Sequence, residues 1–165
     1  MSSPTGDDAV VRDATEADAA DIAELIRAAF ASHAALYNDA SLPPLRESAE
    51  TVLQAMRAGI VLVAEESGRI VGTIKGTERD GVVEVGRLAV APDARRRGTA
   101  RVLARALEAR YPQATRFDLF TGHLSREALG LYESLGYRRT RTQREHEHLT
   151  LVYLSKPGGR DGDAL

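Results

Sequence analysis

The sequence predicts a mixed α+β fold: one central, mostly antiparallel sheet in which a bulged strand splays from a parallel neighbour, flanked by about four helices. Three observations carry that prediction. Strand-like apolar runs at 60–65, 70–77 and 82–90 follow one another across Ser67-Gly68 and Arg79-Asp80-Gly81, whose glycines and aspartate suit tight turns, so they form an antiparallel meander. From Pro92 onward helical and strand periods alternate, which makes the strand before Pro92 and the one starting at Phe117 parallel neighbours joined by a right-handed crossover. Within 82–90 the alternation occupies Val83 and Val85 and then jumps to Leu88 and Val90, with Gly86 at the break. A two-residue pleat cannot do that, whereas one extra residue near Gly86-Arg87, a β-bulge, restores the buried face and bends the strand away from its neighbour. A strand buried on both faces without a bulge is the alternative.

Each element has its own signal. Val10 and Val11 read as a short strand, and Thr15 before an acidic turn reads as a helix N-cap whose hydroxyl accepts from free backbone amides. Ile22, Leu25, Ile26, Ala29 and Phe30 then fall on one helical stripe. Pro43-Pro44 interrupts, and Ala49, Val52, Leu53 and Met56 make a second helix that stops at Gly59. Beyond the meander, Val102, Leu103, Ala106 and Leu107 mark a third helix, 117–121 a strand, and Ala128, Leu131, Tyr132 and Leu135 a fourth helix. Closing strands at 137–143 and 149–154 complete the sheet.

Composition bounds what such a domain can be. With 165 residues against roughly 150 for an average domain, one core is expected, over 10–156, between flexible ends at 1–9 and 157–165. The 43% hydrophobic content supplies that core. The absence of cysteine removes disulfides, thiolate metal sites and cysteine nucleophiles, and no metal site is expected elsewhere. His146 and His148 could share a strand face, but with no third ligand they read as solvated side chains. A net charge of −2 and 5% aromatic residues argue against a nucleic-acid binder, despite the arginines at 95–97 and 138–144. The small, polar, acidic N-terminus lacks a signal-peptide pattern, and no apolar run is long enough for a membrane span, so no membrane partner and a cytoplasmic location are expected.

The chemistry concentrates after the fourth strand. Arg95-Arg96-Arg97-Gly98-Thr99-Ala100 opens a helix whose first-turn amides lack intrahelical partners; Gly98 permits close approach, Ala100 keeps the next turn small, and the arginines add positive charge, so phosphate suits the site. A solvated basic surface is the other reading of that run. No Gly-Lys-Ser/Thr follows, so it is not a P-loop.

Glu84-Val85-Gly86-Arg87-Leu88-Ala89-Val90-Ala91-Pro92 followed by Arg95-x-x-Gly98-x-Ala100 resembles the acyl-CoA-binding motif of the GNAT superfamily of N-acetyltransferases, which reads Arg/Gln-x-x-Gly-x-Gly/Ala. Ser125-x-x-Ala128-x-x-Leu131-Tyr132-Glu133-x-Leu135-Gly136-Tyr137 resembles its second motif, commonly Asn-x-x-Ala-x-x-Leu-Tyr followed by Gly-Phe or Gly-Tyr. In element order the resemblance runs over 10–156.

It implies transfer of an acetyl group from acetyl-CoA to an amine, on a small molecule or on a protein N-terminus or lysine, in a monomer or homodimer. The pyrophosphate would rest on the amides of Arg96, Arg97, Gly98, Thr99, Ala100 and Arg101, and the pantetheine arm would pair with Leu88, Ala89 and Val90, one of whose amides would polarise the thioester. Arg95 and Arg96 would face the ribose phosphate or solvent. Tyr132 would protonate the departing thiolate, or else be a packed aromatic; Glu84 would take the amine proton through water, or else be an ordinary exposed strand residue. Ser125 replaces the frequent Asn, and joins the cofactor site or caps the fourth helix. His33, Tyr37 and His123 would shape the acceptor pocket. The function in another class that fits the same motifs is a non-catalytic acyl-CoA-binding sensor or interaction domain.

Overall fold

The computed structural model describes residues 9–159. Its elements are β1 (Val10–Asp13), α1 (Ala19–Leu36), α2 (Ala49–Ala58), β2 (Ile60–Glu66), β3 (Arg69–Arg79), β4 (Val82–Val90), α3 (Thr99–Ala109), β5 (Arg116–Gly122), α4 (Arg126–Ser134), β6 (Arg138–His146) and β7 (Leu149–Pro157), with short 3-10 turns at Glu16–Asp18, Pro43–Arg46 and Pro92–Ala94. The seven strands form one sheet in the order β1-β2-β3-β4-β5-β7-β6, and only β4 and β5 run parallel. The mixed α+β expectation, with a meander and one parallel pair, is met. Of the described helices, none is long and apolar enough to cross a membrane.

Helices cover both faces of the β2–β4 half. Paired residues point to the same side, so Val83, Val85 and Val90, opposite Glu78, Gly76 and Gly72, share a face with two glycines. A Cβ on Gly72 would meet Leu103 and one on Gly76 would meet Leu107, which identifies this as the α3 face. Glu84, Gly86 and Ala89 pair with Thr77, Lys75 and Thr73 on the other face, where Thr73 and Lys75 lie beside Ile22 and Ile26 of α1. Burial of the core side chains, from Ile22 and Ile74 to Leu103, Leu107 and Leu154, each under 2% exposed, contributes about 1.5–3 kcal/mol apiece.

Several local readings are corrected by packing. Thr15 stands at an N-cap, but that of the 3-10 turn Glu16–Asp18, where the Asp18 carboxylate accepts from both its N–H and its hydroxyl, and α1 begins only at Ala19. Val102 is 51% exposed, because the stripe α3 lays on the sheet is Thr99, Leu103, Ala104 and Leu107. On α4 the buried residues are Leu129 and Tyr132, with Ala128 and Leu131 only partly covered. Tyr137 precedes β6 and is buried edge-on against Tyr132. The ordered chain passes the expected boundary at 156: Pro157 pairs with Arg116 and the Gly158 N–H donates to the Thr115 carbonyl. Ala9 packs against the core, while 1–8 and 160–165 of the expected flexible ends lie outside the described residues.

Candidate active site

The bulge is where the parity jump predicts it. Lys75 faces Gly86 and Thr73 faces Ala89, so Arg87 and Leu88 together oppose Ile74. Arg87 takes a positive φ of 52°, an uncommon backbone form for a non-glycine residue and one that marks strain. The bend has the expected consequence. β4 pairs with β5 only at Val82, Val83 and Glu84, so on the β5 side residues 85–90 have no strand partner, while β5 continues to Gly122 paired with β7. A wedge opens between the two parallel strands. Leu88 and Val90 are half-buried along it and Ala89 is buried toward α1.

The wedge leads to the start of α3. Gly98 holds φ at +82°, and a Cβ built on it would meet nothing within 4 Å, so space lies open over the turn. Arg96 is left-handed as well, at φ 66°, and such turns are the backbone form from which anion-binding concavities are made. The Val102 N–H already reaches the Gly98 carbonyl, which leaves the amides of Thr99, Ala100 and Arg101 as the unpaired first turn. Thr99 itself is buried against Gly72 and anchors this turn on the sheet.

The four arginines around the turn diverge. Arg95 is exposed and its Nε lies 3.5 Å from the Val90 carbonyl, at the outer limit of a hydrogen bond. Arg96 approaches Glu127 of α4 at 4.0 Å with both side chains almost fully exposed, a pair of little worth in water. Arg97 turns to Glu66 at the end of β2, making two contacts of 2.7 and 2.9 Å and a third to the Asp93 carbonyl. Arg101 reaches Ser134 of α4 at 2.8 Å. The triple-arginine run is therefore not one cationic patch: Arg97 and Arg101 fasten the loop to its surroundings, and Arg95 and Arg96 are the exposed cations without a close carboxylate.

Tyr132 stands inside the fold on α4, 7% exposed. Burial pushes its phenol well above the ordinary tyrosine range, so it holds its proton at neutral pH. Among the described residues its hydroxyl has no hydrogen-bond partner. Glu84 is exposed, at the last position where β4 still pairs with β5, and its neighbour in register is Asp118. Asp118 is already engaged by Ser155 at 2.6 Å and Arg116 at 2.9 Å, whereas Glu84 has no such partner among the described residues.

The residues expected around the acceptor fall into two groups. Tyr37 is 2% exposed and turned inward: its hydroxyl bonds Ser125 at 2.7 Å, accepts the Leu124 N–H at 3.0 Å and lies against Gly122. It locks the end of α1 to the β5–α4 corner rather than lining a pocket. Ser125 stands at the N-cap position without capping, because its hydroxyl is spent on Tyr37 in a buried spot. His33 is half-buried between Phe30 and Tyr37, and burial, with the Arg95 charge second, lowers its pKa, so the imidazole is neutral at pH 7. His123 is exposed, its Nδ1 accepting the Thr150 N–H, and stacks at 5.8 Å on Tyr37. His146 and His148 gain unforeseen partners, Asp39 and Glu147, and no group of metal-binding side chains exists among the described residues.

A feature that the linear sequence conceals lies on the α1–α2 face. Glu47, with a 5% exposed side chain, pairs with Arg87 of the bulge at 3.0 Å and accepts from the Thr51 hydroxyl at 3.0 Å. Beside it a cleft of about 460 Å³ lies between α2, the loop before it and β3, with Arg46, Lys75, Thr77 and Arg87 on its walls. Glu47 and Arg87 are 40 residues apart and Lys75 belongs to a third element, so no spacing rule joins them.

Comparison with known proteins agrees with this fold. The family model described as acetyltransferase (GNAT) domain matches residues 34–156. The chain belongs to the GNAT acetyltransferase family. A ribosomal-protein-alanine N-acetyltransferase from Brucella melitensis is similar at 25% identity and TM-score 0.73, over 90% of this chain and 99% of that one. A phosphinothricin acetyltransferase of the GNAT superfamily from Sinorhizobium meliloti, solved with acetyl-CoA, shares the fold at 22% identity and TM-score 0.75, over 92% and 89%. So does the PaiA N-acetyltransferase from Thermoplasma acidophilum, solved with coenzyme A, at 14% identity and TM-score 0.74, over 90% and 98%. A search of curated protein sequences returns no match to this chain.

Proposed function

We propose that this protein transfers the acetyl group of acetyl-CoA to a primary amine by direct attack in a ternary complex. The observation that carries the reading is the wedge left by β4 beyond Glu84, which runs along the chain to the open turn at Gly98; Tyr132 adds a phenol that holds its proton at neutral pH. Acetyl-CoA suits these residues on structural grounds, since an extended arm needs an unpaired strand edge and a pyrophosphate needs unpaired amides with no side chain over them. When bound it supplies a thioester carbonyl open to attack by the amine nitrogen.

In this reading the amides of residues 96–101 hold the pyrophosphate, with Arg95 and Arg96 as exposed cations at its edge, while Leu88, Ala89 and Val90 offer backbone pairing. One amide of that trio donates to the carbonyl oxygen as negative charge develops, a contribution of about 2.7–4 kcal/mol for a preorganised donor. The amine nitrogen forms the new bond to the acetyl carbon as the bond to sulfur breaks. Glu84 accepts the amine proton through water, and Tyr132 gives its proton to the thiolate. His33, neutral and held between two rings, shapes the acceptor side.

Free-thiol detection with acetyl-CoA and a panel of amines tests the reading, with small amino acids, polyamines and peptides bearing free N-termini or lysines as the panel. Thiol release that requires an amine, with initial-rate lines intersecting as both substrates are varied, is the expected result. Tight acetyl-CoA binding without amine-dependent release across the whole panel would reassign the protein as an acyl-CoA-binding module.

A further inference from the structure

We infer that the acceptor amine carries an anionic group, and that Lys75 holds that group in the cleft beside the β4 bulge. The inference rests on the acetyl-transfer reading and names the substrate class of the same site. Lys75 is half-buried, and among the described residues its ammonium has no ion pair and no hydrogen bond. Its stem lies across Gly86, with Cε 3.7 Å from where a Cβ on that glycine would stand, so the chain of Lys75 passes over β4 next to the bulge. Burial, and after it the charge of Arg87, depress its pKa: the free protein holds this cation at a cost.

The neighbouring carboxylates, Glu47 and Glu84, offset that cost only in part, since the pKa stays depressed. The one buried carboxylate on the cleft wall, Glu47, is bonded to Arg87 and Thr51. Arg46 adds a third, exposed cation to the same wall. Three cations, Arg46, Lys75 and Arg87, against two carboxylates, Glu84 and the already bonded Glu47, leave this face with an excess of positive charge, and a ligand carboxylate, phosphinate or phosphate balances it. The cleft volume of about 460 Å³ lies within the range of small-molecule sites. Its position is the acceptor's, because Lys75 and Thr77 share a sheet face with Gly86 and Glu84, while the pyrophosphate turn lies beyond the far end of β4. An amine tethered to an anion on Lys75 would be presented along β4 beside Glu84.

The test compares matched acceptors, one with an anionic group and one without: methionine and phenylalanine against their α-carboxamides, each with saturating acetyl-CoA. The carboxylate member is expected to lead in kcat/KM by about ten- to hundredfold, the worth of a charge-assisted hydrogen bond. Lys75→Met keeps the stem and drops the charge; it should abolish the lead through KM, leave acetyl-CoA affinity unchanged, and leave the melting temperature unchanged or higher, since a half-buried cation held at a cost is gone. Lys75→Arg should retain part of the lead. Equal rates for both members, or a lead that survives Lys75→Met, overturns the inference and leaves acetyl transfer standing. If acetyl-CoA fails to bind, the transfer reading falls on its own, and calorimetric titration of phenylalanine and of phenylalanine amide into the free protein decides this inference: binding of the acid that Lys75→Met removes upholds it, and its absence overturns it.

Discussion

Replacing Gly98 by valine separates the two things this glycine does. Its φ of +82° is a conformation that a β-branched residue adopts only with strain, at about 1–2 kcal/mol. No atom lies within 4 Å of the new Cβ, so no clash adds to that figure in the free protein. For a chain of this length about 2–8 °C of melting temperature should be lost, and the variant should fold. The ligand experiences something else, because the side chain projects into the space over the α3 amides. Losing one charge-assisted hydrogen bond to phosphate, worth about 1.5–3 kcal/mol, predicts a Kd for acetyl-CoA about 10- to 150-fold weaker. Gly98→Asn tolerates the left-handed backbone yet still carries a side chain, so it should melt close to the parent and bind as poorly as the valine variant. Calorimetry on both folded variants gives the answer. Parent-like affinity in Gly98→Val would show that this turn does not cradle the pyrophosphate.

Three further outcomes follow from the same geometry. Tyr132→Phe deletes only a hydroxyl that has no protein partner among the described residues, so stability should hold while kcat falls about 10²–10⁴-fold with acetyl-CoA affinity unchanged; a loss below about threefold returns Tyr132 to the core. Glu84→Gln should depress kcat/KM most at low pH, where the acceptor amine is protonated, and approach the parent as pH rises; a pH profile matching the parent in shape and height removes Glu84 from the reaction. Gly122→Ala would drive a Cβ to within 2.2 Å of the Tyr37 hydroxyl and 2.3 Å of its ring, displacing a rigid side chain and its bonds to Ser125 and Leu124. Urea unfolding should register a loss of about 2–4 kcal/mol, and a loss under 1 kcal/mol would refute the lock between α1 and the β5–α4 corner.

The amino-acid order determined those features of this protein that depend on near neighbours in the chain. Apolar period separates helices from strands because each side chain's face follows from its own backbone geometry, and the parity jump from Val85 to Leu88 pointed to the bulge because an extra residue restores the buried face, although a strand buried on both faces would show the same run. Gly98 at the start of a helix disclosed the open turn for the same local reason. Tertiary structure decided what depends on distant partners. Arg95, Arg96 and Arg97 are alike in sequence, and what divides them is the close pair that Glu66 makes with Arg97, against a 4.0 Å approach of Arg96 to Glu127 and a marginal contact of Arg95 with the Val90 carbonyl. Tyr37 and Ser125 are 88 residues apart and meet because α1 ends against Gly122, so a residue expected to line the acceptor pocket became a buried lock. Lys75 looks in sequence like any polar strand position. Its half-burial over Gly86, with Glu47 already committed to Arg87, arises only when β3, β4 and α2 are brought together, because the environment of a charge is a property of packing and not of order along the chain.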